Sequence, residues 1–147
     1  MIIRYEDEIP QSPQVVFSWV ADPRKAMQWQ QEVKGGEILE ERPGMVGTTF
    51  TEVIEEDGRT LEMRGTITQF VKDRLIAFHI ASRIHEFDVE YRVNGAGQGT
   101  LFSVAADIHW KFPMNIISLF MRKKMEDGLK KQFAAEVGEL KKLCAGG

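Results

Sequence analysis

Between Val33 and Lys111 the chain alternates apolar and polar residues with few interruptions, and this feature restricts the fold more than any other. It is clearest at residues 85–93, where His, Phe, Val, Tyr and Val occupy every second position and charged residues stand between them. Alternation with a period of two predicts strands that bury one face. Because a sheet with one apolar face cannot bury that face alone, helices elsewhere in the chain have to cover it.

Three turns determine how these strands are predicted to pair. Asp57-Gly58 is the strongest signal, because this dipeptide accepts the positive φ angles of a tight hairpin. Two further turns are predicted at residues 72–73 and 82–83. The resulting opposite pairs are Phe50 with Gly65, Glu52 with Met63, Ile67 with Phe78, Gln69 with Ile76, Phe78 with Phe87, and Ile80 with His85.

Helical signals flank the hairpins on both sides. Ser12-Pro13 and Asp22-Pro23 each place a capping side chain before a proline, which predicts two short helices. After Pro113, apolar residues recur every three or four positions for about thirty residues, which predicts one long amphipathic helix. We expect an α+β helix-grip fold over residues 1–147 as a single domain. Its seven-stranded curved antiparallel sheet wraps around the C-terminal helix, with the short helices between strands 1 and 2.

Composition and motifs exclude several classes of partner. Nineteen Lys and Arg against twenty-two Asp and Glu give a formal net charge of −3, without the basic excess that nucleic-acid binding requires. The single Cys144 cannot form a disulfide framework, and the N-terminus lacks a signal-peptide pattern, so we expect a cytoplasmic protein. No apolar run approaches the ~20 residues of a membrane span. The segment GAGQG lacks the following helix that phosphate binding needs, and no cofactor is predicted.

Two segments carry a resemblance to a known family. SPQVVFSWVADPRKAMQW near the start and PMNIISLFMRKKMEDGLKKQFAAEVGELKKL at the end resemble the START-like helix-grip (SRPBCC) superfamily, specifically its bacterial polyketide cyclase/dehydrase branch. The similar pieces include the Ala-Asp-Pro at 21–23, Trp29, Gly47 before Phe50, and Leu140. The resemblance covers essentially the whole chain. It implies a deep cavity between sheet and long helix for a hydrophobic small molecule, and no shared catalytic motif.

The implied cavity falls on this chain's inward-facing positions, which are mainly apolar and aromatic. Such a lining suits a lipid, an isoprenoid or an aromatic polyketide. The predicted ligand-binding residues are Phe50, Met63, Ile67, Gln69, Phe78, Phe87, Tyr91, Val104, Ile108, Trp110, Ile117 and Met121.

Two ionisable residues, Glu52 and His85, also fall on the predicted inner face. An apolar cavity raises the pKa of a carboxyl group and lowers that of an imidazole, so the pair could act as general base and acid on a carbonyl substrate. The alternative is an ordinary structural role, at a cavity mouth for Glu52 and beside a turn for His85. Opposite parity sends His79 and His109 to the outer face, so no metal site is predicted.

Three functions remain open from the sequence. The leading hypothesis is a carrier or sensor for a hydrophobic small molecule. The second is a cyclase or dehydratase that uses Glu52 and His85, and the third is a protein-interaction module on the outer face of the sheet, without a ligand-sized cavity. We expect a monomer or weak homodimer. The basic residues after NIISLF are compatible with transient membrane contact; alternatively Ile116, Leu119 and Phe120 cover the cavity and the short helices.

Overall fold

The computed structural model describes residues 1–56 and 58–146. The elements in chain order are β1 (Ile2–Ile9), α1 (Pro13–Val20), a 3-10 helix (Pro23–Gln28), β2 (Val33–Glu40), β3 (Thr49–Glu56), β4 (Arg59–Val71), β5 (Leu75–Ala81), β6 (His85–Ala96), β7 (Gly99–Trp110), α2 (Met114–Phe120) and α3 (Arg122–Gly146).

The strands form one antiparallel sheet in the spatial order β1-β7-β6-β5-β4-β3-β2. The two short helices connect β1 at one edge of the sheet with β2 at the other. Both begin as predicted, because the Ser12 and Asp22 side chains accept hydrogen bonds from the backbone N–H groups of Val15 and Arg24. The predicted fold, a curved seven-stranded antiparallel sheet with a long C-terminal helix, is confirmed.

The hairpin of β3 and β4 has the predicted register. Glu52 lies opposite Met63, and Phe50 lies opposite Gly65. Asp57 of the predicted turn lies outside the described residues, and Gly58 has a φ of +74°. A Cβ atom at Gly65 would stand 2.3 Å from Cζ of Phe50, so the missing side chain leaves room for the Phe50 ring against the sheet.

The hairpin of β4 and β5 departs from the prediction after one correct pair. Ile67 lies opposite Phe78 as predicted, but a β-bulge follows, and Gln69 lies opposite Ala77 instead of Ile76. A bulge adds one residue to a strand and reverses the alternation of its side chains. Gln69 is therefore exposed on the outer face of the sheet, and the prediction that it faces the cavity is wrong.

The hairpin of β5 and β6 has a longer loop than predicted. Ile80 lies opposite Phe87 instead of His85, and Ala81 and Glu86 form the last opposite pair before the loop. The Ser82 hydroxyl stabilises this loop by accepting hydrogen bonds from the backbone N–H groups of Ile84 and His85, both at 3.2 Å. The register is shifted by two residues, which preserves parity, so His85 and Phe87 still point inward.

The C-terminal segment forms two helices where one was predicted, because the chain bends at Met121 between α2 and α3. α3 packs against α1 and β1, and buries Val137, Leu140 and Cys144. Ile117 and Met121 are exposed, so the prediction that they line the cavity is wrong. No helix in the described part of the chain has both the length and the apolar character needed to cross a membrane.

Candidate functional site

A cavity of about 170 Å³ lies between the inner face of the sheet and α3. Strands β2 to β7 supply most of its wall, and α3 adds Leu129, Gln132, Phe133 and Glu136, whose spacing places them on one face of the helix. The predicted site residues that line this cavity are Glu52, Met63, Phe78, His85, Phe87, Tyr91, Val104, Ile108 and Trp110.

A smaller chamber of about 20 Å³ adjoins this cavity, which is roughly the space of one water molecule. Its wall contains Phe50 and Ile67 from the sheet, and Trp29 directly after the 3-10 helix. Gln69, Ile117 and Met121 line neither space. The residues shared by both walls are Gln30, Glu52, Phe78 and Tyr91.

Glu52 is the least satisfied ionisable group in the cavity wall. Its position on β3 faces inward, and only 6 % of the residue is exposed. Among the described residues, no side chain or backbone group forms a hydrogen bond to its carboxyl group. Burial, together with the nearby charge of Glu136, raises the pKa of Glu52 to about 7.

Glu136 on α3 is a site residue that the sequence analysis missed. It is buried, and its Oε2 accepts hydrogen bonds from the backbone N–H of Gln31 at 3.0 Å and from Nε2 of Gln132 at 3.3 Å. Burial raises the pKa of Glu136 to about 7, although both hydrogen bonds act in the opposite direction. Its spacing of three from Phe133 places it on the apolar face of the helix, and a carboxyl group at such a position is a sequence signal for a buried acid.

Tyr91 completes the polar group at this end of the cavity. Its hydroxyl accepts a hydrogen bond from Nε2 of Gln30 at 3.1 Å. Burial, and then the charges of Glu136 and Glu52, raises the pKa of Tyr91 well above its ordinary value. We call Glu52, Glu136 and Tyr91 the carboxyl end of the cavity.

His85 and Trp110 form a different environment, which we call the histidine end. His85 is 3 % exposed, and its Nδ1 lies 2.8 Å from the Ser82 hydroxyl. Its ring centroid lies 4.3 Å from that of Phe87 and 5.2 Å from that of Trp110. Burial lowers the pKa of His85, and the neighbouring Lys111 lowers it further. The Nε1 of Trp110 is buried without a hydrogen-bond partner among the described residues.

The structure places Glu52 and His85 in one cavity wall without coupling them. The charge that raises the pKa of Glu52 belongs to Glu136, and the charge that acts on His85 belongs to Lys111. The predicted pairing of Glu52 with His85 is therefore replaced by a pairing of two carboxyl groups. Like charges in a desolvated site disfavour double ionisation.

The remaining histidines are on the outer face, as their parity predicts. His79 Nδ1 lies 2.9 Å from a carboxylate oxygen of Asp88, and His109 Nε2 lies 3.3 Å from one of Asp107. Over residues 1–56 and 58–146, no group of three or more His, Cys, Asp or Glu is arranged to hold a metal ion.

Comparison with known proteins gives one sequence match. Residues 2–145 match the family described as polyketide cyclase / dehydrase and lipid transport. No curated protein matches the chain significantly in sequence.

Several solved structures are similar in fold. A Thermus thermophilus protein has a TM-score of 0.82 at 16 % identity, with 99 % of this chain and 98 % of that chain covered. The Zhui aromatase/cyclase of a Streptomyces species has a TM-score of 0.81 at 13 % identity, with coverages of 99 % and 93 %. A START superfamily protein from Mycobacterium smegmatis has a TM-score of 0.69 at 16 % identity, with coverages of 89 % and 95 %. At these identities the similarity concerns the fold alone.

Proposed function

The chain belongs to the polyketide cyclase, dehydrase and lipid transport family of the START-like superfamily, and from this premise we propose that it is a carrier or sensor for a hydrophobic small molecule. The observation that carries the proposal is the cavity wall. Apolar and aromatic side chains from six strands and α3 converge on one space, and polar groups are concentrated at its two ends. Binding sites for small molecules have this composition.

The size of the cavity limits the ligand. A cavity of about 150 Å³ lined by apolar side chains is large enough for benzene, so about 170 Å³ accommodates roughly one ring. A longer ligand would extend past the half-buried side chains of Glu32, Leu129 and Gln132. The third hypothesis, an interaction module, expects no ligand-sized space, and this cavity argues against it.

The charges in the wall limit the ligand further. Glu32, Glu52 and Glu136 contribute carboxyl groups, whereas no lysine or arginine is among the described lining residues. The Glu52 carboxyl group lines the cavity without a hydrogen-bond partner among the described residues, so a ligand that donates a hydrogen bond to it would be favoured. We therefore propose a compact apolar or aromatic ligand with a hydrogen-bond donor at one end.

Native mass spectrometry of freshly purified protein, followed by solvent extraction, tests the proposal directly. We expect a reproducible apolar passenger, and calorimetric binding of the neutral probe phenol, which combines one aromatic ring with one hydrogen-bond donor. Ala106→Phe should place a ring in the cavity and reduce probe affinity at least about tenfold, because the ring occupies the space that the probe needs. Ala105→Phe, on the other face of the same strand, is the matched control. An empty protein that also fails to bind the probe would overturn the proposal.

A second candidate function is proton-transfer catalysis of the cyclase or dehydratase type. Glu52 favours it, because a cavity carboxyl group with a pKa of about 7 exchanges protons readily near neutral pH. Glu136, in place of His85, would then be its acid-base partner. Turnover of the extracted ligand or a related carbonyl compound should be lost in Glu52→Gln while ligand binding persists. Full turnover in that variant would end the assignment.

A further inference from the structure

Exposed apolar side chains are concentrated around α2. Six of the eleven large apolar side chains that are exposed in the described residues lie within residues 112–121. The three most exposed are Phe112 at 77 %, Leu119 at 72 % and Phe120 at 87 %. Exposed apolar residues scattered singly are normal, but a contiguous group marks an interaction site. We call this group the α2 patch; its members are Phe112, Ile116, Ile117, Leu119, Phe120 and Met121.

This exposure contradicts one of the alternatives from the sequence. If Ile116, Leu119 and Phe120 covered the cavity and the short helices, they would be buried. The chain bends at Met121 between α2 and α3, and the buried residue of α2 is the polar Ser118. The apolar surface is therefore left for another partner.

Positive charge adjoins the α2 patch directly. Arg122, Lys123 and Lys124 follow it in the chain, are exposed, and form no ion pair among the described residues. The contrast with the chain as a whole is clear, because its formal net charge is −3. A cluster of free cations beside apolar side chains is electrostatically complementary to an anionic surface.

A surface groove shows that the two kinds of side chain share one surface. Phe120 and Met121 line it together with Lys123, Lys124 and Lys131, and with Asp127 as the single carboxylate. The remaining lining residue is a glycine. The groove thus combines apolar contact area with an excess of positive charge.

We propose that the α2 patch and the adjacent cations dock the protein on an anionic lipid surface. Amphipathic segments of this kind bury their apolar face at the boundary of headgroups and acyl chains, while lysine and arginine contact acidic headgroups. A second copy of the chain fits less well. In a symmetric dimer the same patch would face itself, and this would bring Arg122, Lys123 and Lys124 of both copies into one interface, where their charges repel.

The α2 patch lies next to elements that form the cavity wall, so docking would also position the cavity relative to the lipid. α2 packs against β7 and α3, and both of these elements contribute to the cavity wall. Trp110, at the histidine end, precedes Phe112 by two positions. Docking would therefore hold the histidine end of the cavity near the lipid. Docking itself does not depend on the proposed ligand-binding function.

Vesicle co-sedimentation of the full chain tests the proposal. We expect binding to phosphatidylcholine vesicles that contain phosphatidylglycerol, weak binding to pure phosphatidylcholine vesicles, and a decrease as salt increases. Leu119→Ser with Phe120→Ser should reduce affinity at least about tenfold, and Lys123→Glu with Lys124→Glu by a similar factor. Leu39→Ser with Val46→Ser, and Lys34→Glu with Lys72→Glu, remove exposed side chains elsewhere and should change little.

The alternative outcomes are decisive. No binding to either vesicle, or equal binding by the patch variants and the control variants, overturns the proposal. Sedimentation velocity adds a separate reading: a dimer that the Leu119 and Phe120 substitutions dissociate, without vesicle binding, would assign the patch to self-association. Unchanged circular dichroism spectra and urea unfolding midpoints in all variants would show that they fold, and keep this test separate from that of the proposed function.

Discussion

Each end of the cavity buries an ionisable group, but the two groups differ in their hydrogen-bond partners and neighbours. At the histidine end, His85 has a hydrogen-bond partner in Ser82 and aromatic rings beside it. At the carboxyl end, Glu52 has no hydrogen-bond partner among the described residues and faces a second carboxyl group, that of Glu136. The first arrangement is typical of a structural residue, whereas the second leaves polar groups for a ligand to satisfy.

The difference also determines how each end responds to pH. Burial raises the pKa of Glu52 and lowers that of His85. In both cases the charged form is disfavoured, but a carboxyl group becomes charged as pH rises and an imidazole as pH falls. The two ends should therefore change the free energy of unfolding in opposite directions, and the following substitutions separate them.

The largest expected effect is the pH dependence caused by Glu52. Between its ordinary pKa of 4.5 and a folded pKa of about 7, the folded protein retains a proton that the unfolded chain has released. Stability therefore decreases as pH rises through this window, by roughly 3 kcal/mol in total. Urea denaturation should show Glu52→Gln matching the wild type at pH 5 and exceeding it at pH 8.

Glu55→Gln is the control for this comparison, because Glu55 is exposed on the same strand. It should follow the wild-type pH dependence. If Glu52→Gln also follows it, the Glu52 carboxyl group is not desolvated, and the distinction between the two ends fails.

The next effect is the loss of packing at the histidine end. His85→Ala removes a buried ring and its hydrogen bond to Ser82, and should lower the free energy of unfolding by about 2–3 kcal/mol. His109→Ala, on the exposed face of β7, should cost no more than about 0.5 kcal/mol. Equal costs, measured by urea denaturation at pH 7.5, would remove the structural role of His85.

A smaller effect is the pH dependence caused by His85. Its folded pKa lies below 6.5, so in the window between these two values the unfolded chain binds more protons and stability rises with pH. This is opposite in sign to the effect of Glu52. Measurements in a background with both Glu52→Gln and Glu136→Gln remove the two carboxyl groups with raised pKa values. A further His85→Ala substitution should then flatten the slope of the free energy of unfolding against pH. If the slope of the free energy of unfolding against pH stays unchanged, this pH dependence belongs to another group.

The smallest expected effect on stability is that of Trp110→Phe. The indole N–H has no partner among the described residues, so its removal breaks no hydrogen bond, and we expect a change within about 1 kcal/mol. Thermal unfolding measures this, and probe titration adds the functional comparison. A loss of probe affinity beyond about tenfold would indicate that the N–H contacts the ligand, and would make the histidine end a binding site as well.

Much of the fold could be predicted because alternation is a direct record of burial. The inward position of Phe50, Tyr91 and Val104 depends only on whether each residue is at an odd or even place in its strand. The predicted pairing of β5 with β6 was wrong by two residues, and a shift of two leaves the inward face unchanged. Gln69 was assigned wrongly because a bulge adds a single residue, which reverses parity, and no sequence signal marks it.

The sequence by itself determined the order of elements, the antiparallel sheet, the capped short helices and the inward face of most strands, because these follow from local periodicity and turn chemistry. Only the tertiary structure decided which inward residues meet. Glu52 on β3 and Glu136 on α3 line one cavity because α3 packs over the inner face of the sheet. The exposed apolar residues of α2 lie next to the bend at Met121. Contacts between distant segments depend on packing geometry, which a one-dimensional pattern does not contain.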